Sequence, residues 1–121
     1  MQYMLLIYVS EDVRTSMSEE EQQAVMGEYF AYTEALKASG KYVAGDALQL
    51  TDTAKSVRVR DGETTTTDGP FAETKEILGG YYLVDVDSEE EALEWAARIP
   101  SARFGTIEVR PIVVFPVEAT A

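Results

Sequence analysis

The residues best suited to chemistry lie in one short stretch, DGPFAETKE at positions 68–76. Lys75 could hold an anion, while Asp68 or Glu73 could orient that anion or act as a base. Phe71 lies between these charged residues. An aromatic wall for such a cleft would come from tyrosines in strand-like segments, namely Tyr8, Tyr81 and Tyr82. A few polar groups beside an apolar wall are typical of a small-molecule pocket, so these seven residues are the candidate ligand cleft.

The same stretch has a second interpretation as a stiff connection between strands. Gly69 tolerates unusual backbone dihedrals, Pro70 fixes the next turn, and Asp68 can accept hydrogen bonds from nearby backbone groups. Phe71 can then anchor the loop in an apolar slot. We therefore predict that Phe71 is largely buried and that Asp68 accepts at least one local backbone hydrogen bond. On this interpretation the charges pair locally or across an interface, and the tyrosines pack in the core.

The composition restricts the chemistry, because the 121 residues include no histidine and no cysteine. This removes the usual general base at neutral pH, thiol nucleophiles and the commonest ligands of zinc, iron and copper. We predict no such metal centre and no cofactor, so any catalysis would rest on carboxylates, tyrosines, lysine or hydroxyls. The net charge of −12 repels phosphate backbones and argues against nucleic-acid binding.

The predicted elements follow the order strand, helix, hairpin, strand, helix, strand, in one domain over residues 1–121. Capping boxes begin the helices at Ser18 and Ser88, and Asp61-Gly62 is a favoured pair for a two-residue hairpin turn. The predicted ranges are a strand at 2–9, a helix at about 18–39, a hairpin at 57–67, a strand at 78–87, a helix that Pro100 closes, and a strand at 106–115. This order predicts an α+β, ferredoxin-like βαββαβ sandwich with two helices on one face of an antiparallel sheet.

Both faces of two predicted strands are apolar. The first strand places Tyr3, Leu5 and Ile7 on one face and Met4, Leu6 and Tyr8 on the other, and the strand at 78–87 is similar. Two helices cover only one face, and an antiparallel sheet with its other face in water should alternate apolar and polar residues. We therefore predict a homodimer whose interface is the sheet face opposite the helices, burying more than roughly 2,000 Å² in total.

Several segments of the chain resemble the YCII-related proteins of the DGPF group. They are TDGPFAETKE, LGGYYLVDVDSEEEALEWAARIP, IEVRPI, YMLLIY and ALKASGKYVAGDAL, which together cover almost the whole chain. The resemblance implies a dimeric α/β-barrel in which two ferredoxin-like sheets pack face to face. These are mainly bacterial proteins without a settled activity, and some are encoded near alternative sigma factors. One branch is a candidate enzyme group because of a His–Asp pair in a cleft, a pair that this histidine-free chain cannot carry.

Three classes of function remain open at this point. The first is a cytoplasmic homodimer that binds or senses a small anionic or aromatic ligand, with a transcription regulator as a partner. The second is an enzyme that uses Asp, Glu and Tyr acid–base chemistry on a small substrate. The third is a structural module for protein interaction. No apolar run reaches membrane-spanning length, so we expect no membrane association. Glu108 and Arg110, on one face of the last strand, are expected to pair with each other.

Overall fold

A computed structural model describes residues 1–116 as an α+β arrangement of three helices and six strands. The helices are α1 (Glu11–Ser16), α2 (Glu19–Ala38) and α3 (Glu89–Ala97). The strands are β1 (Gln2–Ser10), β2 (Tyr42–Ala47), β3 (Lys55–Arg60), β4 (Glu63–Asp68), β5 (Glu76–Asp85) and β6 (Thr106–Pro111). Short 3₁₀ turns follow β2 at Thr51–Thr53 and α3 at Pro100–Arg103. No helix in this part of the chain is long and apolar enough to cross a bilayer.

Four strands form one antiparallel sheet in the order β2-β5-β1-β6. This confirms the predicted α+β class with an antiparallel sheet, and the strand order is consistent with a ferredoxin-like fold. The predicted hairpin forms from β3 and β4, but these strands make a separate two-stranded sheet. The main sheet therefore takes its fourth strand from elsewhere in the chain.

That fourth strand is β2, which the sequence analysis missed together with α1. The segment YVAGDA contains glycine and aspartate, which strands disfavour, and it shows no alternation of apolar and polar residues. Gly45 is needed because a Cβ at this position would lie 2.7 Å from Cδ1 of Tyr82 on the neighbouring strand. Backbone pairing with β5 therefore stabilises a strand whose own residues have low strand propensity.

The strongest local signals in the sequence are confirmed. The side chain of Ser18 accepts a hydrogen bond from the Glu21 backbone, and the Glu21 carboxylate accepts one from the Ser18 backbone, so α2 begins with a complete capping box. At the start of α3 only half of the predicted capping box forms, since the side chain of Ser88 accepts from the backbone of Glu91. Asp61 and Gly62 both have positive φ, 52° and 77°, as a two-residue hairpin turn requires.

The last strand ends at Pro111 rather than at residue 115. Its partner β1 begins at Gln2, and Tyr3 of β1 pairs with Pro111. Beyond Pro111, β1 therefore offers almost no residues for further pairing. One further backbone bond joins Ile112 N to Gln2 O at 3.0 Å. The apolar residues beyond it remain exposed, with 88% of the surface of Val114 in solvent.

The core lies between the helices and one face of the main sheet. Leu5 and Val84 on the sheet and Leu36 on α2 have no exposed surface. Tyr32 on α2 packs edge-on against Tyr82, with ring centroids 5.2 Å apart, and its hydroxyl donates to the backbone oxygen of Trp95 at 2.9 Å. These contacts fix both long helices against the sheet.

The opposite face of the sheet is not covered by any helix within residues 1–116. On this face three residues of β1 are only partly buried, namely Met4, Leu6 and Tyr8. The residues between them face the helices and are buried. Tyr81 and Leu83 on β5 are partly exposed in the same way. The predicted two-sided apolar character of the sheet is therefore present in the folded chain.

Candidate functional site

The stretch at 68–76 forms a connection from the hairpin to β5. Asp68 ends β4 directly opposite Lys55 on β3, and its carboxylate binds the Lys55 ammonium. The predicted acceptance of a local backbone hydrogen bond by Asp68 is therefore wrong, because the lysine across the ladder occupies the carboxylate. Gly69 makes the local backbone contact instead, with φ of 89° and its N–H donating to Ala54 O at 2.8 Å. The carbonyl of Gly69 accepts from Ser56 Oγ at 2.7 Å.

The prediction that Phe71 is buried is wrong, since 81% of its surface is exposed. The connection is held by backbone contacts at Gly69, and no helix or strand of the described chain covers the ring. Glu73 and Lys75 are also exposed, and the residues between Pro70 and Glu76 do not form an extended strand. Thr74 stabilises the last turn by donating to Glu76 O at 2.6 Å.

Tyr8 lies on the sheet face opposite the helices and pairs with Leu78, two residues after the end of the stretch at 68–76. Its hydroxyl donates to Glu108 Oε1 at 3.3 Å. Arg110 donates to the other oxygen of Glu108 at 2.6 Å, along the same strand, and the predicted pairing of these two residues is confirmed. The Arg110 guanidinium holds the pKa of the Glu108 carboxyl below its usual value. The cleft as predicted therefore does not form as one cluster within a single chain.

A cavity of about 610 Å³ lies elsewhere, between α2 and the sheet. Its walls come from α1, from the part of α2 between Gln22 and Thr33, and from the neighbouring strands β2, β5 and β1. Of the seven candidate residues, Tyr81 and Tyr82 line it, and the other five do not. Apolar side chains from α2 form one wall, namely Val25, Met26 and Phe30.

Three glycines line this cavity on the sheet side and present backbone rather than side chains. They are Gly45 on β2 and Gly79 and Gly80 on β5. A Cβ on Gly80 would lie 2.9 Å from Asp46 O. The ladder between β1 and β5 shifts register opposite Gly79, and such irregularities are frequent beside functional sites. Glycines inside a strand often mark close approach, so Gly79-Gly80 was a signal in the sequence, although no nucleotide motif surrounds it.

Arg14 on α1 contributes the positive charge of the cavity. Its Nη1 atom is buried and has no hydrogen-bond partner within residues 1–116. The same atom lies 3.3 Å from the position that a Cβ on Gly79 would occupy. The guanidinium is near enough to the Tyr29 hydroxyl to lower the pKa of that hydroxyl in part, against the stronger effect of burial. Arg14 was not predictable as a site residue, because the helix that carries it has only six residues.

Hydroxyl pairs join α2 to the other walls. The hydroxyls of Tyr29 and Ser101 lie 2.5 Å apart, and those of Thr33 and Tyr82 lie 2.7 Å apart. Burial raises the pKa values of Tyr29 and Tyr82 above the usual value of 10.0, so both hydroxyls stay protonated at neutral pH. Tyr81 donates to Asp46 Oδ2 at 2.8 Å, and this hydrogen bond raises the pKa of Tyr81.

A second depression of about 470 Å³ lies along α3. Its lining comes from residues 88–98 alone and includes three glutamates, Glu90, Glu91 and Glu94. It is a groove on one acidic helix rather than a space between elements. The cavity beside α2 is therefore the candidate functional site.

An antiparallel α+β domain with a glycine-floored cavity between helix and sheet is the class of protein that these observations define. The chain matches the model of the YCII-related domain family over residues 1–116. It is also 39% identical over 117 residues to an uncharacterised protein of Rhizobium meliloti (strain 1021), covering 95% of this chain and 94% of that protein. The chain belongs to the YCII-related family, as its resemblance to the DGPF group implied.

Proposed function

We propose that this YCII-related protein binds a small organic molecule in the cavity between α2 and the sheet. The observation that carries the proposal is the cavity itself, about 610 Å³ with a mainly apolar wall and a few polar groups. Ligand sites usually enclose roughly 300–1,000 Å³ and combine these two kinds of lining. A site of this size accommodates a metabolite with one or two rings or a short acyl chain.

The entrance of the cavity supports the same proposal. Met26 and Phe30 line the cavity, yet 57% and 66% of their surfaces are exposed. Apolar side chains that stay in water at the edge of a cavity gain stability when a ligand covers them. Both side chains project from one helix, so a ligand that enters here contacts α2 along about one turn.

The directions of the pKa shifts of the carboxyl groups and tyrosines favour ligand binding over acid–base catalysis. An enzyme of the second class would need a carboxyl group with a raised pKa in the cavity. The shifted carboxyl groups of the described chain, Glu28 and Glu108, instead have lowered pKa values because arginines donate to them. The cavity tyrosines have raised pKa values and act as neutral hydroxyls.

The proposed binding unit is a homodimer in the form of an α/β-barrel. Its support is the uncovered sheet face, where Met4, Leu6 and Leu83 are only partly buried and Leu78 is 37% exposed. Packing two such faces together removes this apolar surface from water. Dimerisation leaves the α2 cavity accessible, since that cavity lies on the helix side of the sheet. A transcription regulator as a further partner stays a prediction.

A ligand screen with a cavity-filling variant tests the proposal. The screen uses equal sets of neutral, cationic and anionic small molecules with one or two rings, and it measures thermal stability. A ligand present at a hundred times its dissociation constant should add about 2.7 kcal/mol to the free energy of unfolding. Val25→Phe should reduce the affinity of every hit at least tenfold, because Val25 lines the cavity. Leu93→Phe on the exposed face of α3 is the matched control and should leave each hit unchanged.

Two results would contradict the proposal. One is the absence of any hit in all three sets. The other is a set of hits whose affinities are the same in Val25→Phe and in wild type.

A further inference from the structure

We infer that the ligand of this cavity is an organic anion whose carboxylate or similar group binds Arg14, while its apolar body lies against α2. This inference rests on the proposed function and specifies the chemical class of the ligand. Two observations support the inference. The cavity is mainly apolar, and a buried guanidinium nitrogen of Arg14, which lines it, has no hydrogen-bond partner in the described chain.

The other arginines show how unusual Arg14 is in this chain. Arg103 donates to both oxygens of Glu28, at 2.6 and 3.0 Å, and Arg110 donates to Glu108. Arg98 lies over the ring of Trp95, 4.2 Å from its centroid. Acidic residues outnumber basic ones by 22 to 10, so carboxylates are abundant. An arginine with a buried, unpaired nitrogen in such a chain indicates a partner from outside.

Two carboxylates near Arg14, one on the same helix and one on the cavity wall, are already engaged. Glu11, one turn earlier on α1, accepts hydrogen bonds from the backbone and the hydroxyl of Thr51. Asp46 on β2 accepts from the Tyr81 hydroxyl. Neither forms an ion pair with Arg14. The guanidinium carries five N–H donors and no acceptor, so an external group must supply acceptor oxygens.

A second donor lines the same cavity as the guanidinium. In the pair formed by Tyr29 and Ser101 one hydroxyl donates to the other, so the second hydroxyl keeps a hydrogen for another acceptor. Arg14, Tyr29 and Ser101 all line the same cavity. Arg14 and this hydroxyl pair together suit the two oxygens of a carboxylate.

The sheet beneath the guanidinium presents backbone at Gly79. Gly79 carries no side chain where Arg14 Nη1 approaches, and its carbonyl oxygen is occupied by Leu48 N at 2.8 Å. A free carbonyl here would compete for the guanidinium and repel an anion. With that oxygen engaged, the positive charge remains available to the ligand.

Matched pairs of acids and amides test the inference, namely benzoate with benzamide, 2-naphthoate with 2-naphthamide, and octanoate with octanamide. Each pair has nearly the same shape, and only the acid is charged at pH 7. Wild-type protein should bind the best acid at least tenfold more tightly than its amide, measured by calorimetry. Arg14→Gln should remove this preference and leave the affinity for the amide nearly unchanged. The Nε–H resonance of Arg14 should shift on addition of the acid in wild-type protein.

Arg58→Gln is the matched control, because it makes the same change in net charge on the exposed hairpin. Arg58→Gln should keep the preference for the acid over the amide. This result would show that the preference comes from contact with Arg14 and not from the net charge of the protein. Equal binding of acid and amide to wild-type protein would overturn this inference and leave the proposed function standing. Retention of the preference in Arg14→Gln would also overturn it. Failure of every acid and every amide, together with no hit in the wider screen, would overturn both proposals.

Discussion

Arg14 and Phe71 reverse the usual relation between residue type and exposure. A nitrogen of the Arg14 guanidinium is buried without a partner in the described chain, whereas 81% of the Phe71 surface lies in water. Charged groups are normally solvated and aromatic rings normally buried. The proposed ligand would supply an acceptor at Arg14, whereas Phe71 offers exposed apolar surface.

Phe71→Ala should change the free energy of unfolding by less than about 0.5 kcal/mol, because an exposed ring loses little burial when it is removed. Leu36→Ala is the control for a buried site, and its loss should be about 2–5 kcal/mol, since Leu36 has no exposed surface. Urea denaturation measures both values. A loss of 3 kcal/mol or more in Phe71→Ala would mean that a partner covers the ring in the assembled protein.

The junction between α2 and β5 packs the core and also lines the cavity. Tyr32 and Tyr82 pack edge-on in the core, and the Tyr82 hydroxyl pairs with Thr33 on the cavity wall. Burial raises the pKa values of both tyrosines above 10.0. The same side chains therefore hold the helix in place and keep the cavity wall neutral.

Alkaline pH should weaken this junction. Because the folded-state pKa of Tyr32 lies above its unfolded value of 10.0, the folded state keeps a proton that the unfolded state loses. Its contribution is complete below pH 10 and declines as pH rises beyond that value. Tyr32→Phe should make the stability fall less steeply between pH 10 and 11.5, measured by urea denaturation at each pH. An identical slope in this variant would contradict the raised pKa.

Elements were predictable from the sequence where the signal is local. Ser18 and Glu21 locate the start of α2, and Asp61-Gly62 locates the hairpin turn, because each pair makes its own short-range contacts. The strand β2 was not predictable, since its stability comes from pairing with β5 rather than from its own residues. The cavity was missed for the same reason, because segments far apart in the chain bring Arg14 to Gly79. Only the glycine pair in β5 gave a sequence signal for it.

In the proposed dimer, an apolar sheet face and a strongly acidic chain have opposite effects on association. Each copy has a net charge of −12, so two copies repel each other over distances of several ångströms. The partly buried face of β1 and β5 supplies the opposing attraction through burial of apolar surface. Association through this face is therefore expected to strengthen as added salt screens the charges.

Leu83→Lys should convert the proposed dimer to a monomer, because it places a charge in the middle of the uncovered sheet face. Light scattering at micromolar concentration measures the mass. Leu93→Lys on α3 is the control, since Leu93 is 50% exposed on the helix side and should leave the dimer intact. A wild-type monomer, or a dimer that Leu93→Lys disrupts and Leu83→Lys does not, would show that this sheet face is not the interface.

The separate sheet of β3 and β4 can unfold locally without the rest of the chain. These strands share no ladder with the four-stranded sheet, and all six residues of β4 are exposed. Two-stranded hairpins are marginally stable in water without further packing. The hairpin can therefore open while the main sheet stays intact, so its amide hydrogens exchange with solvent through a local event. Because the hairpin is joined to the DGPF connection at Gly69, each opening also releases the contact between Gly69 and Ala54.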